Sequence, residues 1–252
     1  MLLEKKLREE LAKKVPHFQK YPQMIPFIGT DYDKTQLLIL GESHYLKEAD
    51  YWRIKLWYNS RADEWLPKGF TEEQVNWPGW YGDTHTALLV TKKMHPIYSN
   101  LDAILRACEG PKELKSGLAG CAYMNFFQRP AETNGDSIQD NKSDDIYAAQ
   151  TLQCVCEVLQ PTKIYFASSR SYKGLGAFIN DKHLKVTMKT EPTFPLENVG
   201  CIEGWFNNAL IGHGAHPASR WWNKSVKGYS KPRGQHAITG KDALRCFAQI
   251  QL

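Results

Sequence analysis

Apolar and polar positions fall along this chain in two patterns: short continuous apolar runs, and longer stretches with helical spacing. Gln36-Leu-Leu-Ile-Leu-Gly41 is an apolar run closed by glycine and predicts a buried strand ending in a tight turn. Cys121-Ala-Tyr-Met-Asn-Phe-Phe127 and Lys163-Ile-Tyr-Phe-Ala167 predict two more strands, and Leu184–Met188 and Asn208–Ile211 are further candidates. Helical spacing predicts a first helix over 2–14, stopped by Pro16. A second covers Met94–Cys108, with Ile97, Leu101, Ile104 and Leu105 on one face. A third covers Asp144–Leu159, with Ile146, Leu152, Val155 and Leu159 apolar and Pro161 just beyond, and a last one covers Thr239–Ile250. Strands alternating with helices imply crossover units, so the expected fold is a three-layer α/β/α arrangement around a short, mostly parallel sheet. In such sheets ligands bind beyond the carboxyl ends of the strands.

The chain has 252 residues, enough for a single domain over 1–252 that buries a sizeable core without staples. Hydrophobic residues make up 42% and charged residues 23%, which excludes a disordered, collagen-like or coiled-coil chain. No apolar run approaches a membrane span, and the charged amphipathic start, MLLEKKLREELAKK, is no signal peptide. The expectation is a soluble, cytoplasmic monomer. Six cysteines occur without a CxxC pair, so neither a disulfide framework nor a cysteine-held metal is expected.

Net charge is +5, from 32 basic and 27 acidic residues. Its distribution is more informative. From Gly204 to Lys241 there is no Asp or Glu, while Arg220, Lys224, Lys227, Lys231, Arg233 and Lys241 fall there. That pattern fits either a positive face toward a polyanion or a solvated loop.

Three short motifs carry candidate chemistry. Gly41-Glu42-Ser43-His44-Tyr45 puts polar residues where an apolar strand stops. Glu42 or His44 can serve as acid or base and Ser43 can hold a water; the same letters also fit a hydrogen-bonded turn. In Tyr123-Met-Asn125-Phe-Phe-Gln-Arg129-Pro130, Asn125 interrupts an apolar strand, and an amide offers the donor and acceptor pair that suits a nucleobase edge. In His216-Pro217-Ala218-Ser219-Arg220-Trp221-Trp222, the histidine can stabilise developing negative charge. There Arg220, Trp221 and Trp222 can lie along phosphates or stack on bases. The run Asn76-Trp-Pro-Gly-Trp80-Tyr81 offers a further stacking aromatic, Trp80, or a core lid. No P-loop occurs, Gly174-Leu-Gly176 lacks the third glycine of a dinucleotide fingerprint, and no cofactor is expected. His213-Gly-Ala-His216 has no nearby carboxylate and predicts no metal.

Taken in order, these motifs resemble the uracil-DNA glycosylase superfamily over about residues 36–223. The Gly-Glu start is most similar to the thermostable iron–sulfur branch, as is an Asn-bearing strand followed by Arg129-Pro130. The His216-Pro217-Ala218-Ser219 turn with Arg220 after it is similar to the family's His-Pro-Ser motif and the Arg wedge of the single-strand-selective branch. The resemblance implies an α/β/α fold and an enzyme that excises uracil or a related damaged base from single- or double-stranded DNA. Asn125, with Tyr45 and Trp80, would bind the flipped base, and His216 would face the base oxygen that gains charge. Glu42, Ser43 or His44 would place the water, while Arg220, Trp221, Lys224, Lys227 and Lys231 would hold DNA. The chain departs from the family at His44, where the motif has Pro, at Ser43, where some branches have Asp or Asn, and in lacking the cluster cysteines. Two other readings fit parts of the chain. Leu40-Gly-Glu-Ser-His44 resembles the Gly-Glu-x-x-His signature of erythromycin-esterase-like hydrolases. The fold could also serve a nucleic-acid-binding protein without catalysis.

Overall fold

A computed structural model describes residues 2–20, 24–45, 96–108, 117–131, 137–179, 202–206, 208–214, 216–218, 222–223 and 239–249. Its strands are β1 (Phe27–Ile28), β2 (Leu37–Gly41), β3 (His44–Tyr45), β4 (Cys121–Asn125), β5 (Pro130–Ala131), β6 (Lys163–Phe166), β7 (Ile202–Phe206) and β8 (Ala209–His213). Its helices are α1 (Leu2–Lys14), α2 (Pro16–Lys20), α3 (Tyr32–Thr35), α4 (Pro96–Ala107), α5 (Lys142–Leu159), α6 (Ser169–Ile179) and α7 (Gly240–Ala248).

Six strands form one sheet in the order β1-β4-β2-β6-β8-β7. The inner four, β4, β2, β6 and β8, are parallel, and β1 and β7 pair antiparallel at the two edges. All five residues of β2 are buried, as a central parallel strand covered on both faces requires. Leu38 and Leu40 enter one core with residues of α1, α2, α5 and α6. Leu37 and Ile39 enter a second core with residues of α4 and α7. Helices thus cover both faces of a mostly parallel sheet.

The predicted elements reappear with shifted ends. β4 stops at Asn125 and not at Phe127; just past its end Phe126 N–H donates to Gly41 O at 3.1 Å and Phe127 N–H to Glu42 O at 2.9 Å. α5 begins two residues before Asp144 because Asn141 caps it. The Asn141 side chain accepts from the N–H groups of Ser143 and Asp144, and Asp144 accepts in return from Asn141 N–H. Cys156 lies in the core and Cys154 packs against it. Helices α2, α3 and α6 and strands β1, β3, β5 and β7 have no counterpart among the elements the sequence pattern predicts. The proposed strand Leu184–Met188 and the aromatic run Asn76–Tyr81 lie outside the described residues. Among the described residues no helix is long and apolar enough to cross a membrane.

The strand order fixes where a site can form. From β2 the chain passes to β4 on one side, then to β6 on the other, on to the edge strand β7 and back to β8 beside β6. Neighbouring β2 and β6 therefore send the chain in opposite directions, the arrangement beyond whose carboxyl ends sheets of this kind bind ligands. The small parallel ladder β3–β5, with His44 opposite Pro130, continues from the ends of β2 and β4.

Candidate functional site

At the carboxyl end of β2 the backbone is fastened from two directions. Gly41 O accepts from Phe126 N–H and, at 2.9 Å, from the Ser171 hydroxyl on α6. Glu42 is buried, and a buried carboxylate must be compensated. Its Oε1 accepts from Ile138 N–H at 3.0 Å, and its Oε2 accepts from the Ser168 hydroxyl at 2.7 Å and the Ser137 hydroxyl at 3.4 Å. Ser168 in turn accepts from Arg170 N–H at 3.1 Å, capping the start of α6. Glu42 thus ties β2 to the segment before α5 and to the end of β6.

Ser43, the next residue, is 6% exposed, and its Oγ has no hydrogen-bond partner among the described residues. A buried hydroxyl left in this state is a place for a water or a ligand oxygen. His44 follows, buried as the first residue of β3. Burial lowers its pKa to about 4, so its imidazole is neutral at pH 7. Tyr45 completes β3, and only its backbone is described.

Asn125 ends β4 directly opposite Gly41 of β2. It is half-buried, and its Oδ1 accepts from the Tyr123 hydroxyl at 3.2 Å. Its carbonyl accepts from Gln128 Nε2 at 2.7 Å, and the same amide donates to Phe126 O at 2.9 Å. A Cβ at position 41 would overlap both the Tyr123 hydroxyl and Asn125 Oδ1. Glycine is therefore needed at 41 for close approach, apart from any turn. Asn125 and Glu42 act on opposite sides of the sheet end. Asn125 lies with Tyr123 on the α4 side, whereas Glu42 reaches Ile138 and Ser168 on the α5–α6 side.

β8 brings the third motif to the same edge. Its last residue, His213, stands opposite Phe166 and stacks on Tyr172 of α6, with ring centroids 4.3 Å apart and planes 6° from parallel. Three residues on, His216 Nδ1 accepts from Ala218 N–H at 3.3 Å. With Nδ1 accepting, the neutral ring carries its proton on Nε2, an assignment that follows from the hydrogen bond. The Asn100 side chain on α4 donates to Pro217 O at 2.8 Å and hangs this turn from the helix. Trp222 differs from its expected stacking role. It is 2% exposed and packs in the core that includes Leu244 and Phe247 of α7.

Arg129, beside the Asn125 motif, is also internal, bound to Asp144 and to Gln139 O at 2.9 Å. Trp80, Arg220, Trp221, Lys224, Lys227 and Lys231 lie outside the described residues. Sequence reasoning passed over Tyr123, Gln128 and Ser168, although Ser168 follows an apolar strand as directly as Glu42 does. No family model matches this chain, and no curated protein matches it.

Proposed function

We propose that the chain is a DNA glycosylase-like hydrolase of uracil-DNA glycosylase-like fold, which cleaves the N-glycosidic bond of a flipped deaminated or damaged base. The observation that carries this reading is the Asn125 amide, held over Gly41 at the carboxyl edge of the sheet. The Ser43 hydroxyl and the His216 turn belong to that edge as well. A base-reading amide, a water-holding hydroxyl and an imidazole N–H donor form the minimal set for this chemistry.

As the C1′–N bond breaks, its electron pair leaves with the base and C1′ gains positive character. His216 Nε2–H donates toward the base oxygen where charge collects. Water held by Ser43 adds to C1′ and gives up a proton, so that base and abasic sugar are released. His44, neutral, can accept that proton. Glu42 frames the loop through its three donors. In this reading Tyr45 and Trp80 flank the base, Arg220 fills the gap in the stack, and Trp221, Lys224, Lys227 and Lys231 follow the backbone. A small-molecule hydrolase that uses Glu42 as its working carboxylate is less well supported, because that carboxylate already serves three donors.

The test is a screen of the purified protein against oligonucleotides carrying uracil, hypoxanthine, xanthine and oxidised pyrimidines, with alkaline cleavage to reveal abasic sites. Strand breaks at one modified base, abolished in Asn125→Ala, support the reading. Tight binding with no breaks leaves the nucleic-acid-binding alternative, and neither binding nor breaks sinks both.

A further inference from the structure

Tyr165 of β6 is fully buried, yet its hydroxyl meets the chain at two points, where it leaves β8 and where it enters α7. Its ring packs against Phe247 of α7, with centroids 5.4 Å apart. Its hydroxyl donates at 3.5 Å to the carbonyl oxygen of Gly240, the first residue of α7. The residue after β8 is Gly214, and a Cβ there would overlap the same hydroxyl. With the hydroxyl gone, the nearest atoms to that Cβ would be the ring Cζ at 3.1 Å and Ala243 Cβ at 3.4 Å. The backbone at 214 is outside the left-handed region, so it is the closeness of the phenol that calls for glycine. Gly214 N–H also donates to Phe166 O at 2.9 Å. His216 stands two residues on, and Asn100 holds the residue after it through Pro217 O.

We infer that Tyr165 is a positioning residue, whose hydroxyl fills the gap at Gly214, holds Gly240 and so sets where the His216 turn stands at the sheet edge. Asn100 fixes the far side of the turn from α4, and Tyr165 fixes the near side from the sheet. The placement stands on its own. Its consequence for catalysis rests on the glycosylase reading, in which His216 Nε2–H must meet a base oxygen. A hydrogen bond weakens steeply once its distance or angle slips, so a displaced turn lowers the rate at saturation more than the affinity.

The experiment is a size-complementation cycle of Gly214→Ala, Tyr165→Phe and the double variant. It is read by thermal melting and by single-turnover excision at saturating uracil-containing oligonucleotide. Gly214→Ala forces a methyl against the phenol and should lower the melting temperature, and the rate by roughly tenfold or more. Tyr165→Phe keeps the ring against Phe247, loses one neutral hydrogen bond and should lower the rate roughly three- to tenfold. In the double variant the methyl takes the space of the hydroxyl, so the rate should return to about that of Tyr165→Phe and the melting temperature should rise with it. A double variant no faster than Gly214→Ala, or one whose melting temperature recovers while its rate does not, would overturn the inference. So would a Tyr165→Phe rate equal to wild type. If Gly214→Ala does not fold, a folded double variant shows the complementarity directly, and a double variant that fails to fold as well overturns it. A second arm needs no turnover. The His216 imidazole nitrogen resonances, assigned by their loss in His216→Ala, and the Ala218 amide should move in Tyr165→Phe. Resonances that stay in place would overturn the inference. A wild type inactive on every base would sink the glycosylase reading, and the resonance arm would still decide the placement.

Discussion

Arg129 holds Asp144 by two parallel hydrogen bonds of 2.8 Å, Nε to Oδ1 and Nη2 to Oδ2, with both side chains buried. Asp144 also closes the capping box of α5, so one carboxylate joins the end of the Asn125 motif to a helix N-terminus. Its value lies in what each partner would cost alone. Removing one member of a buried pair strands a charge and typically costs about 3–5 kcal/mol, whereas replacing both by apolar groups costs far less. Arg129→Met and Asp144→Leu should each lower the urea midpoint strongly, and the double variant should recover much of the loss. Additive losses in the double variant would show that the pair is not coupled.

How much of this was legible in sequence depends on the range of the contact. β2, β4, β6 and β8 announced themselves as apolar runs, since a parallel strand covered on both faces has only one kind of sequence. α6 did not, because two glycines, Gly174 and Gly176, weaken the helical pattern there. In the fold Gly174 is the point where α6 approaches Asp145, Phe126 and Phe127 too closely for a side chain. β3 and β5 are two residues each and pair across 86 positions, so no local pattern could reveal them. The site was legible in its letters but not in its wiring. Glu42 stood out as polar at a strand end, yet its partners at 137, 138 and 168 are remote in the chain, and their meeting makes it a tie. Trp222 looked like a stacking residue because its neighbours are basic, and burial against α7 residues overrides that local context.

Gly41 and Gly176 should respond oppositely to alanine. A Cβ at 41 strikes the Tyr123 hydroxyl and Asn125 Oδ1, while one at 176 meets nothing within 4 Å. Overpacking of this kind typically costs about 1–3 kcal/mol, and Gly→Ala inside a helix gains up to about 1 kcal/mol. Gly41→Ala should therefore destabilise and Gly176→Ala should stabilise, as read by urea titration. Equal effects would contradict the close approach at 41.

Two buried groups should give the stability curve opposing slopes in acid. Asp145 has its pKa raised to about 6, first by burial and then by the charge of Asp144, with Arg129 across from that neighbour. The folded state therefore binds more protons than the unfolded chain between about pH 4 and 6, and this contribution to stability is lost as pH rises. His44 is depressed to about 4 by burial, so between about pH 4 and 6.5 the unfolded chain binds more, and its contribution is lost as pH falls. Urea midpoints at half-unit steps from pH 4 to 7 should expose the pair. Asp145→Asn should leave a curve that climbs more steeply with pH, and His44→Gln one that climbs less. Identical curves for both variants and the wild type would remove both assignments.

The acid-free stretch from Gly204 to Lys241 should be the electrostatic footprint on DNA. Each phosphate neutralised contributes about 0.9 to the slope of log K against log salt on duplex. Replacing Lys224, Lys227 and Lys231 together by Gln should flatten that slope by about two to three units and leave the rate at saturating DNA near normal. Arg220→Ala should instead impair duplex more than single strands, because a wedge matters only where a base leaves a stack. A triple variant with an unchanged slope would remove the footprint and weaken the DNA reading.

His216 provides the sharpest division between chemistry and binding. With Nδ1 accepting from Ala218 N–H, the proposed donor to a leaving base is Nε2–H. A donor placed at a developing oxyanion is typically worth about 3–4 kcal/mol in the transition state and little in the ground state. His216→Ala should therefore lower single-turnover cleavage by roughly two to three decades while DNA affinity stays close to wild type. The substitution also removes the acceptor for Ala218 N–H, so a loosened turn must be separated from a lost donor. Asn100→Ala does this, because it releases Pro217 O from α4 and leaves the imidazole in place. If the turn's position is what matters, Asn100→Ala should reproduce most of the loss seen in His216→Ala. If Nε2–H is what matters, Asn100→Ala should cost no more than about tenfold, the scale of one neutral hydrogen bond. A fall in affinity with an unchanged rate at saturation would make His216 a binding residue and leave the developing charge on the base without its donor.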